Sequence, residues 1–228
     1  NVAFISQSGG HATRVVADGL LRGVGFSKAV SFGNGSDIDS PDYLEYFAAD
    51  PETRIIGAYL EGVRDGQWLL QVAREASRAK PLVLWKGGRT SAGAAAAASH
   101  TGSLASSDAI WSSAARQMGA VRVSSAEEMV DTLLAFQCLW PFHGRRVAVI
   151  SGLVDGGGGD SVAAGDGLGS VGLDVSPFSP RTLDQMRELL VPVGTISRNP
   201  LDVGGIAADD HVFDQLAENQ AHAVLYGM

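Results

Sequence analysis

Short apolar runs alternate with helix-length segments along most of the chain. The first four of these runs are VAFIS (2–6), KAVSF (28–32), RIIGAYLEG (54–62) and PLVLWK (81–86). Each run has the length of a buried strand. Helix-length segments near 10–24 and 66–79 follow the first and third runs, and Pro41 and Asp50-Pro51 bound the helix after the second run. This alternation predicts a parallel sheet covered by helices on both faces.

The same alternation continues, is interrupted once and then restarts. Residues 104–118 are predicted to be helical, AVRVS a strand, and SSAEEMVDTLLAF a helix capped by Ser124 or Ser125. LWPFHGRR (139–146) interrupts the pattern with proline, glycine and paired arginines. After it come RVAVIS (146–151) as a strand, a helix to about 170, GLDVSPF as a strand and a helix from about 180.

We therefore predict an α/β chain of two doubly wound, parallel-sheet domains, with 1–142 as the first and 143–228 as the second. Asn1 lies directly before the first strand, and the strand-like AHAVLYGM closes the sequence. We expect the chain to be a piece of a longer polypeptide in which the second domain is truncated.

The composition is that of a globular protein with an acidic balance. A formal net charge of -8 argues against nucleic-acid and anionic-membrane partners, because both need basic patches. No apolar run is long enough to span a bilayer and no signal segment opens the chain, so a cytosolic protein is expected. The single cysteine, Cys138, lies in the apolar stretch LLAFQCLW and is predicted to be buried, which leaves neither a disulfide nor a thiolate metal site.

The turn in ISQSGGHA (5–12) is the first candidate site for an anion. It passes from a strand through Ser6, Ser8, Gly9 and Gly10 into a helix. In a parallel sheet this turn lies at the carboxyl edge, where ligands bind, and the unpaired N–H groups of a helix start attract phosphate. The alternative is a plain tight turn capped by Ser8.

ISGLVDGGGGDSVA (150–163) has the same order of strand, glycine loop and helix. Four consecutive glycines, Gly156 to Gly159, cost backbone entropy that a simple turn does not require. Close approach of a ligand or of another backbone accounts for them, and a flexible surface loop is the alternative.

His100 is the candidate nucleophile. It lies in AAAAASHTGSLA (94–105), among side chains small enough for a bulky group to approach the imidazole. A neutral imidazole has one nucleophilic nitrogen, and a carboxylate on the other nitrogen would fix its tautomer. Glu61, at the carboxyl end of a predicted strand, is the candidate carboxylate. A structural or surface role is the alternative for an isolated histidine.

Other motif matches do not support a function. GLGSVG (167–172) fits a dinucleotide-binding pattern but lies at the end of a helix, and there is no phosphate-binding loop of the GxxxxGK[ST] type. Ser8 resembles a degenerate nucleophile elbow, but an acyl hydrolase needs partners that cannot be assigned. The remaining histidines, His11, His143, His211 and His222, lack metal-ligand spacing and are interpreted as structural or exposed.

Six segments occur in the order and at the spacing typical of one family. They are VAFISQSGG, SFGNGSDID, LEYFAADPETRIIGAYLEG, KPLVLWKGGRTSAG, ASHTGSLA and NPLDVGG. Together they resemble the ADP-forming acyl-CoA synthetases, which are relatives of succinyl-CoA ligase. The resemblance covers nearly the whole chain, and six ordered motifs are more specific than any one of them.

The resemblance implies two flavodoxin-like ligase domains side by side. It implies that His100 becomes phosphorylated while phosphate passes between an acyl phosphate and a nucleotide, and that Glu61 orients the imidazole. The helices after SQSGG and GGGG would point their N-termini at the phosphoryl group. The phosphate-binding residues would then be Ser6, Ser8, Gly9, Gly10, Gly157, Gly158 and Gly159.

The resemblance also implies substrates and partners. The complete enzyme would use acyl-CoA, phosphate, CoA and ATP or ADP with Mg²⁺ as substrates, and no prosthetic group. A CoA-binding domain and an ATP-grasp domain, in the same polypeptide or on a partner subunit, would bind most of them, and the enzyme would be an oligomer.

The chain departs from the family in its second glycine loop. LVDGGGGDS replaces the commoner Asn-Ala-Gly-Gly-Pro-Gly sequence, and Asp155 and Asp160 add negative charge beside the predicted phosphate. The alternative function is a non-catalytic regulatory module of a protein acetyltransferase, in which the phosphohistidine has usually been lost. The presence of His100 and Glu61 favours the enzyme. A flavin-binding flavodoxin would need a pair of aromatic residues positioned to sandwich the isoalloxazine ring, and the sequence shows no such pair.

Overall fold

The computed structural model describes residues 1–90, 92–93, 107–139, 141, 144–151, 157–189 and 198–202. The chain divides into two compact units, Asn1–Phe142 and His143–Met228.

The first unit contains one five-stranded parallel sheet. Its strands are β1 (Val2–Ser6), β2 (Phe26–Ser31), β3 (Ile55–Leu60), β4 (Leu82–Lys86) and β5 (Val121–Val123). Their order across the sheet is β2-β1-β3-β4-β5, and each neighbouring pair is parallel. This is the strand order of flavodoxin-like folds, so the prediction is confirmed for this unit.

Five helices follow these strands within the described part of the unit, one after each strand. They are α1 (Gly9–Leu21), α2 (Ser40–Ala49), α3 (Gly66–Ala79), α4 (Asp108–Met118) and α5 (Ala126–Leu139). Polar residues cap the starts of the first two: Ser8 accepts a bond from the His11 N–H, and Asp39, a cap not predicted from the sequence, forms a reciprocal capping box with Asp42. Ser125, one of the two caps predicted for α5, accepts a bond from the Glu128 N–H.

Each face of the sheet carries its own apolar core. Side chains alternate along a strand, so β1, β3 and β4 supply residues to both faces. On one face Ile5, Ile56 and Leu84 pack with side chains of α2, α3 and α4. On the other, Phe4, Tyr59 and Trp85 pack with side chains of α1 and α5. The sheet is therefore buried on both sides, as the near-continuous apolar strands predict.

Cys138 does not lie in either core, so the prediction that it is buried is wrong. Its thiol is exposed, near the carboxyl end of α5. The buried residues of this helix are Ala126, Met129, Val130 and Leu133, and Cys138 falls outside the continuation of that stripe. The apolar stretch around it conceals this periodicity.

The described part of the second unit contains a smaller sheet than the sequence predicts. In its described part, β6 (Ile150–Ser151) pairs in parallel with β7 (Leu201–Asp202), and α6 (Gly157–Ser170) and α7 (Pro180–Leu189) are the helices. A second full flavodoxin-like sheet is not evident among these residues. The helices begin and end close to their predicted limits.

The strands predicted at 146–151 and in GLDVSPF are not formed over their full length. Only Ile150 and Ser151 of the first belong to a ladder, and Arg146 and Asp174 form an isolated parallel bridge. The Asn199 side chain binds two backbone groups of the predicted strand 146–151. Its carbonyl accepts from the Val149 N–H at 2.9 Å, and its amide donates to the Val147 carbonyl oxygen at 2.7 Å.

Candidate active site

The predicted site of the first unit lies where the chain direction reverses across the sheet. From β1 the chain passes to β2 on one side, and from β3 it passes to β4 on the other. Ligands of open parallel sheets bind in the crevice at this switch point, outside the carboxyl ends of the strands. The β1–α1 turn and Glu61 both lie there, because they directly follow β1 and β3.

The β1–α1 turn uses its serines to shape the backbone. The Ser6 side chain is fully buried, and its hydroxyl donates to the Ser8 carbonyl oxygen at 2.7 Å and accepts from the Ser8 N–H at 3.0 Å. The Ser8 hydroxyl caps α1 at the His11 N–H, at 3.4 Å. Gly9 and Gly10 are exposed in the first turn of α1, where their N–H groups have no intrahelical acceptor. The turn thus presents these two N–H groups to a ligand, whereas Ser6 holds the turn from inside.

Gln7 joins this turn to the end of β3, a role that the sequence does not reveal. Its backbone N–H donates to the Tyr59 carbonyl oxygen at 3.1 Å. Its side-chain carbonyl accepts from the backbone N–H groups of Glu61 and, at 3.0 Å, of Gly62. Gln7 therefore fixes the backbone of Glu61 relative to the start of α1.

Tyr59 fixes the side chain of Glu61. The Tyr59 hydroxyl donates to Glu61 Oε1 at 3.1 Å, from a ring that is almost fully buried. Burial and the Glu61 carboxylate both raise the pKa of Tyr59, so the phenol stays protonated and remains a donor. One carboxylate oxygen is thereby engaged, and the other has no hydrogen bond to the described residues.

Gly87 leaves room for this pair. A Cβ on Gly87 would lie 2.9 Å from Tyr59 Cζ and 3.2 Å from Glu61 Cγ, closer than side chains pack. Gly87 is therefore needed because a larger residue would not fit beside the Tyr59–Glu61 bond. Tyr59 and Glu61 are two residues apart, so they point to the same side of the strand, and this spacing is the signal that could have located their bond.

His11 is part of this site, although the sequence indicates only a structural or exposed histidine. The imidazole is half-buried, with its ring centroid 4.5 Å from those of both Tyr59 and Trp85. Burial lowers the pKa of His11, and the nearby Glu61 carboxylate opposes that shift. The histidine thus belongs to the first turn of α1 and is near enough to the Glu61 carboxylate for that charge to affect its pKa.

Lys86 is a second residue that the sequence does not identify. It ends β4, is only 4% exposed, and its ammonium donates to the Gly87 carbonyl oxygen. The ammonium also lies 5.3 Å from the ring centroid of Trp111 on α4, a cation–π contact. Burial lowers the pKa of Lys86, and the Glu61 carboxylate has the largest opposing effect on that pKa.

His100 lies outside the described residues, so its pairing with Glu61 stays a prediction. Before it in the chain, β4 ends at Lys86. After it, α4 begins at Asp108. Arg122 of β5 forms an ion pair with Asp108, which fixes the start of α4 to the sheet.

The start of α6 in the second unit carries the other predicted phosphate site. Gly157 has a φ of 47°, a left-handed conformation that glycine adopts without strain. A Cβ on Gly158 would lie 3.3 Å from Asp202 Oδ2, so the Asp202 carboxylate lies beside this helix start. Asp160 adds a second carboxylate in the first turn, and Asp155 lies outside the described residues. Phosphate binding by Gly157, Gly158 and Gly159 stays a prediction.

The described residues contain no group of three or more histidine, cysteine, aspartate or glutamate side chains arranged to hold a metal ion. None of the helices in this part of the chain has the length and apolar character needed to cross a bilayer. His143, His211 and His222 lie outside the described part.

Known proteins match the chain over most of its length. The family of the succinyl-CoA ligase-like flavodoxin domain matches residues 1–136. The chain is 36% identical to the α subunit of acetate–CoA ligase [ADP-forming] II of Pyrococcus furiosus, over 89% of this chain and 43% of that protein. It is 37% identical to acetate–CoA ligase [ADP-forming] of Methanocaldococcus jannaschii, over 92% of this chain and 29% of that protein.

A solved structure shows the same relationship. It is the dinucleotide-forming acetyl-coenzyme A synthetase 1 of Ca. Korarchaeum cryptofilum in complex with phosphate and ADP, with a TM-score of 0.77 and 38% identity. The match covers 90% of this chain and 44% of that one. The chain thus spans less than half the length of these relatives. The resemblance predicted from the six motifs is confirmed: the chain belongs to the succinyl-CoA ligase-like flavodoxin domain family, in the form found in ADP-forming acetate–CoA ligases.

Proposed function

We propose that this chain supplies the phosphoryl-transfer domains of an ADP-forming acyl-CoA synthetase. The complete enzyme would interconvert acyl-CoA, ADP and phosphate with the carboxylic acid, CoA and ATP. The observation that carries the proposal is the Glu61 carboxylate, held by Tyr59 at 3.1 Å and fixed through Gln7 to the start of α1 at the switch point of the sheet.

His100 accepts the phosphoryl group in this proposal. One ring nitrogen attacks the phosphorus of an acyl phosphate, the bond from phosphorus to the acyl oxygen breaks, and the carboxylate leaves. A terminal oxygen of ADP then attacks the phosphohistidine, which forms ATP and returns the free imidazole. Glu61 accepts a hydrogen bond from the other ring nitrogen, which selects the reactive tautomer and stabilises the charge that develops on the ring.

Backbone N–H groups hold the phosphoryl group during transfer. Those of Gly9 and Gly10 bind it at the start of α1, and the roughly half positive charge of the helix end adds attraction. Gly157, Gly158 and Gly159 of α6 form the second receptor in the proposal. Neither turn carries a lysine or arginine, so the group is held weakly enough to be passed on.

The remaining parts of the reaction belong to other domains. The α-subunit name of the Pyrococcus relative, and the phosphate and ADP in the Korarchaeum structure, support a partner that binds the nucleotide. We assign CoA and Mg²⁺ with ATP or ADP to CoA-binding and ATP-grasp domains, in the same polypeptide or on that partner, with assembly into an oligomer. The expected cytosolic location belongs to the same proposal.

Formation of ATP by the complete protein tests this function. The protein is supplied with ADP, Mg²⁺, phosphate and each of a set of acyl-CoA thioesters, and ATP is measured. We expect ATP with at least one thioester, none with His100→Asn, and at least a hundredfold slower formation with Glu61→Gln, since precise positioning supplies much of the rate.

Glu45→Gln, an exposed carboxylate change on α2, is the control and is expected to retain the rate. Undiminished ATP formation in His100→Asn would refute the proposal. An acetyltransferase domain next to this chain, combined with no ATP formation, would assign it instead to the regulatory class.

A further inference from the structure

His11 occupies a position that the predicted mechanism does not use. It is the third residue of α1, and side chains of a helix lean toward its N-terminus, so the imidazole lies over the turn that presents Gly9 and Gly10. Tyr59 and Trp85 pack against it from β3 and β4, with ring centroids 4.5 Å away in both cases. Neither ring nitrogen has a hydrogen bond among the described residues.

The groups that face this imidazole have opposite effects on its charge. Burial among the aromatic rings lowers the pKa of His11, and Arg14 on the same helix lowers it further. The Glu61 carboxylate, at the end of β3, raises it. The aromatic faces of Tyr59 and Trp85 attract a cation, so the imidazolium would be accommodated once an anion arrives.

We propose that His11 donates a hydrogen bond to the phosphoryl group held at the start of α1, and that it takes up a proton from solvent when that group binds. This inference rests on the proposed function, because it requires phosphate at Gly9 and Gly10. It adds a titrating side chain to a receptor otherwise made of backbone N–H groups.

Proton uptake by His11 changes the charge of the phosphate site according to whether the phosphoryl group is bound. When the site is free, the imidazole is neutral and adds no charge beside Glu61. A dianionic phosphoryl group beside the ring raises its pKa, so the imidazolium forms and its charge-assisted bond strengthens binding. When the phosphoryl group leaves, the proton returns to solvent, and the site does not retain a permanent cation that would slow release.

The sign of the pH dependence follows. The contribution of His11 to phosphate affinity is complete below the pKa of the free site. It is lost as the pH rises through the higher pKa of the phosphate-bound site. The affinity advantage of the wild-type protein over a variant without the imidazole should therefore shrink as the pH rises.

Titration calorimetry with inorganic phosphate on the complete protein tests the proposal. Measurements in two buffers of different ionisation enthalpy give the number of protons taken up. Relative to wild type, His11→Phe, which retains a ring, should bind phosphate about tenfold or more weakly near pH 6 and take up as much as about one proton fewer. His11→Gln retains a donor, so it should recover part of the affinity but not the proton uptake.

Arg22→Gln is the charge control. Arg22 follows the carboxyl end of the same helix, is 45% exposed and pairs with Asp131, so its removal should change phosphate affinity less than about twofold. The nitrogen chemical shifts of His11 in the unsubstituted protein provide a readout without a variant, because phosphate should move them toward the imidazolium form.

Equal affinity and proton uptake in wild type and His11→Phe, or His11 shifts that phosphate leaves unchanged, would overturn the proposal. Failure of the underlying function is recognised separately. In that case the wild-type protein forms no acid-labile phosphoenzyme, whereas failure of the His11 inference alone leaves phosphoenzyme formation intact.

Discussion

At the residue scale, the site depends on how Glu61 is held. The sequence locates Glu61 because a carboxylate that directly follows a buried strand reaches the ligand edge of a parallel sheet. It does not locate Gln7 or His11, because their roles come from contacts between elements distant in sequence: the side chain of Gln7 accepts from backbone N–H groups 54 and 55 residues further along the chain. The Tyr59–Glu61 bond gives the first prediction.

Tyr59→Phe should slow phosphoryl transfer about tenfold, because Glu61 loses the donor that orients its carboxylate. The free energy of unfolding should change by only about 1 kcal/mol, since the ring and its packing are retained. Stopped-flow formation of the phosphoenzyme and urea unfolding measure the two effects in the complete protein.

Tyr46→Phe is the matched control, because Tyr46 is 58% exposed on α2. Its rate should equal that of the wild type. A Tyr59→Phe protein that transfers phosphate as fast as Tyr46→Phe would show that the bond to Glu61 has no role in transfer.

At the element scale, the strands and helices of the first unit lie within a few residues of their predicted limits. The alternation of apolar runs with helix-length segments, together with the capping residues, is enough to predict these elements. The reason is that each strand is buried on both faces and each helix has an apolar stripe. In the described part of the second unit, the predicted strand 146–151 is bound by the Asn199 amide, whose carbonyl accepts from the N–H of Val149, 50 residues away. Local patterns do not reveal such a bond.

Packing between β1 and β3 gives the second prediction, at Gly57. A Cβ there would lie 2.9 Å from Phe4 Cδ2 and 3.4 Å from Leu133 Cδ2, inside a filled core. Gly57→Ala should therefore destabilise the protein by about 1–3 kcal/mol in urea unfolding. Gly66→Ala, at the start of α3 with no atom within 4 Å of the added Cβ, should stay within about 0.5 kcal/mol of wild type. Equal stability of the two variants would contradict the packing described.

The junction between α2 and β3 gives a third prediction, on pH. The Lys28 ammonium donates to Asp50 Oδ2 at 2.8 Å, and the Thr53 hydroxyl donates to the same oxygen at 2.6 Å. These two bonds together lower the pKa of Asp50 to about 2. The unfolded value is about 3.9, so the stabilisation is complete above pH 4 and is lost as the pH falls toward 2.

Asp50→Asn removes this titration, so its stability should fall less than that of the wild type between pH 5 and pH 2 in urea unfolding at each pH. Glu52→Gln is the control on the same lysine, with a carboxylate that is 71% exposed, and it should keep most of the wild-type acid dependence. Identical pH profiles for wild type and Asp50→Asn would rule out the proposed coupling.

At the scale of the whole molecule, topology gathers the proposed machinery at one edge of the first unit. β1, β3 and β4 are neighbours and parallel, so the start of α1, Glu61 and the residues that follow Lys86 all leave the sheet at its carboxyl edge. The segment that carries His100 begins at that edge. The sequence reveals the family resemblance because its motifs include the loops at the carboxyl edge of the sheet, where functional residues concentrate.

The most direct test of the central claim is the site of phosphorylation. The complete protein, incubated with acyl-CoA, phosphate and ADP, is quenched in alkali, digested and mapped by mass spectrometry. We predict an acid-labile phosphate on His100 that is absent from His100→Asn and scarce in Glu61→Gln. An unphosphorylated His100 during turnover, or a phosphate on any other residue that persists in His100→Asn, would contradict the account.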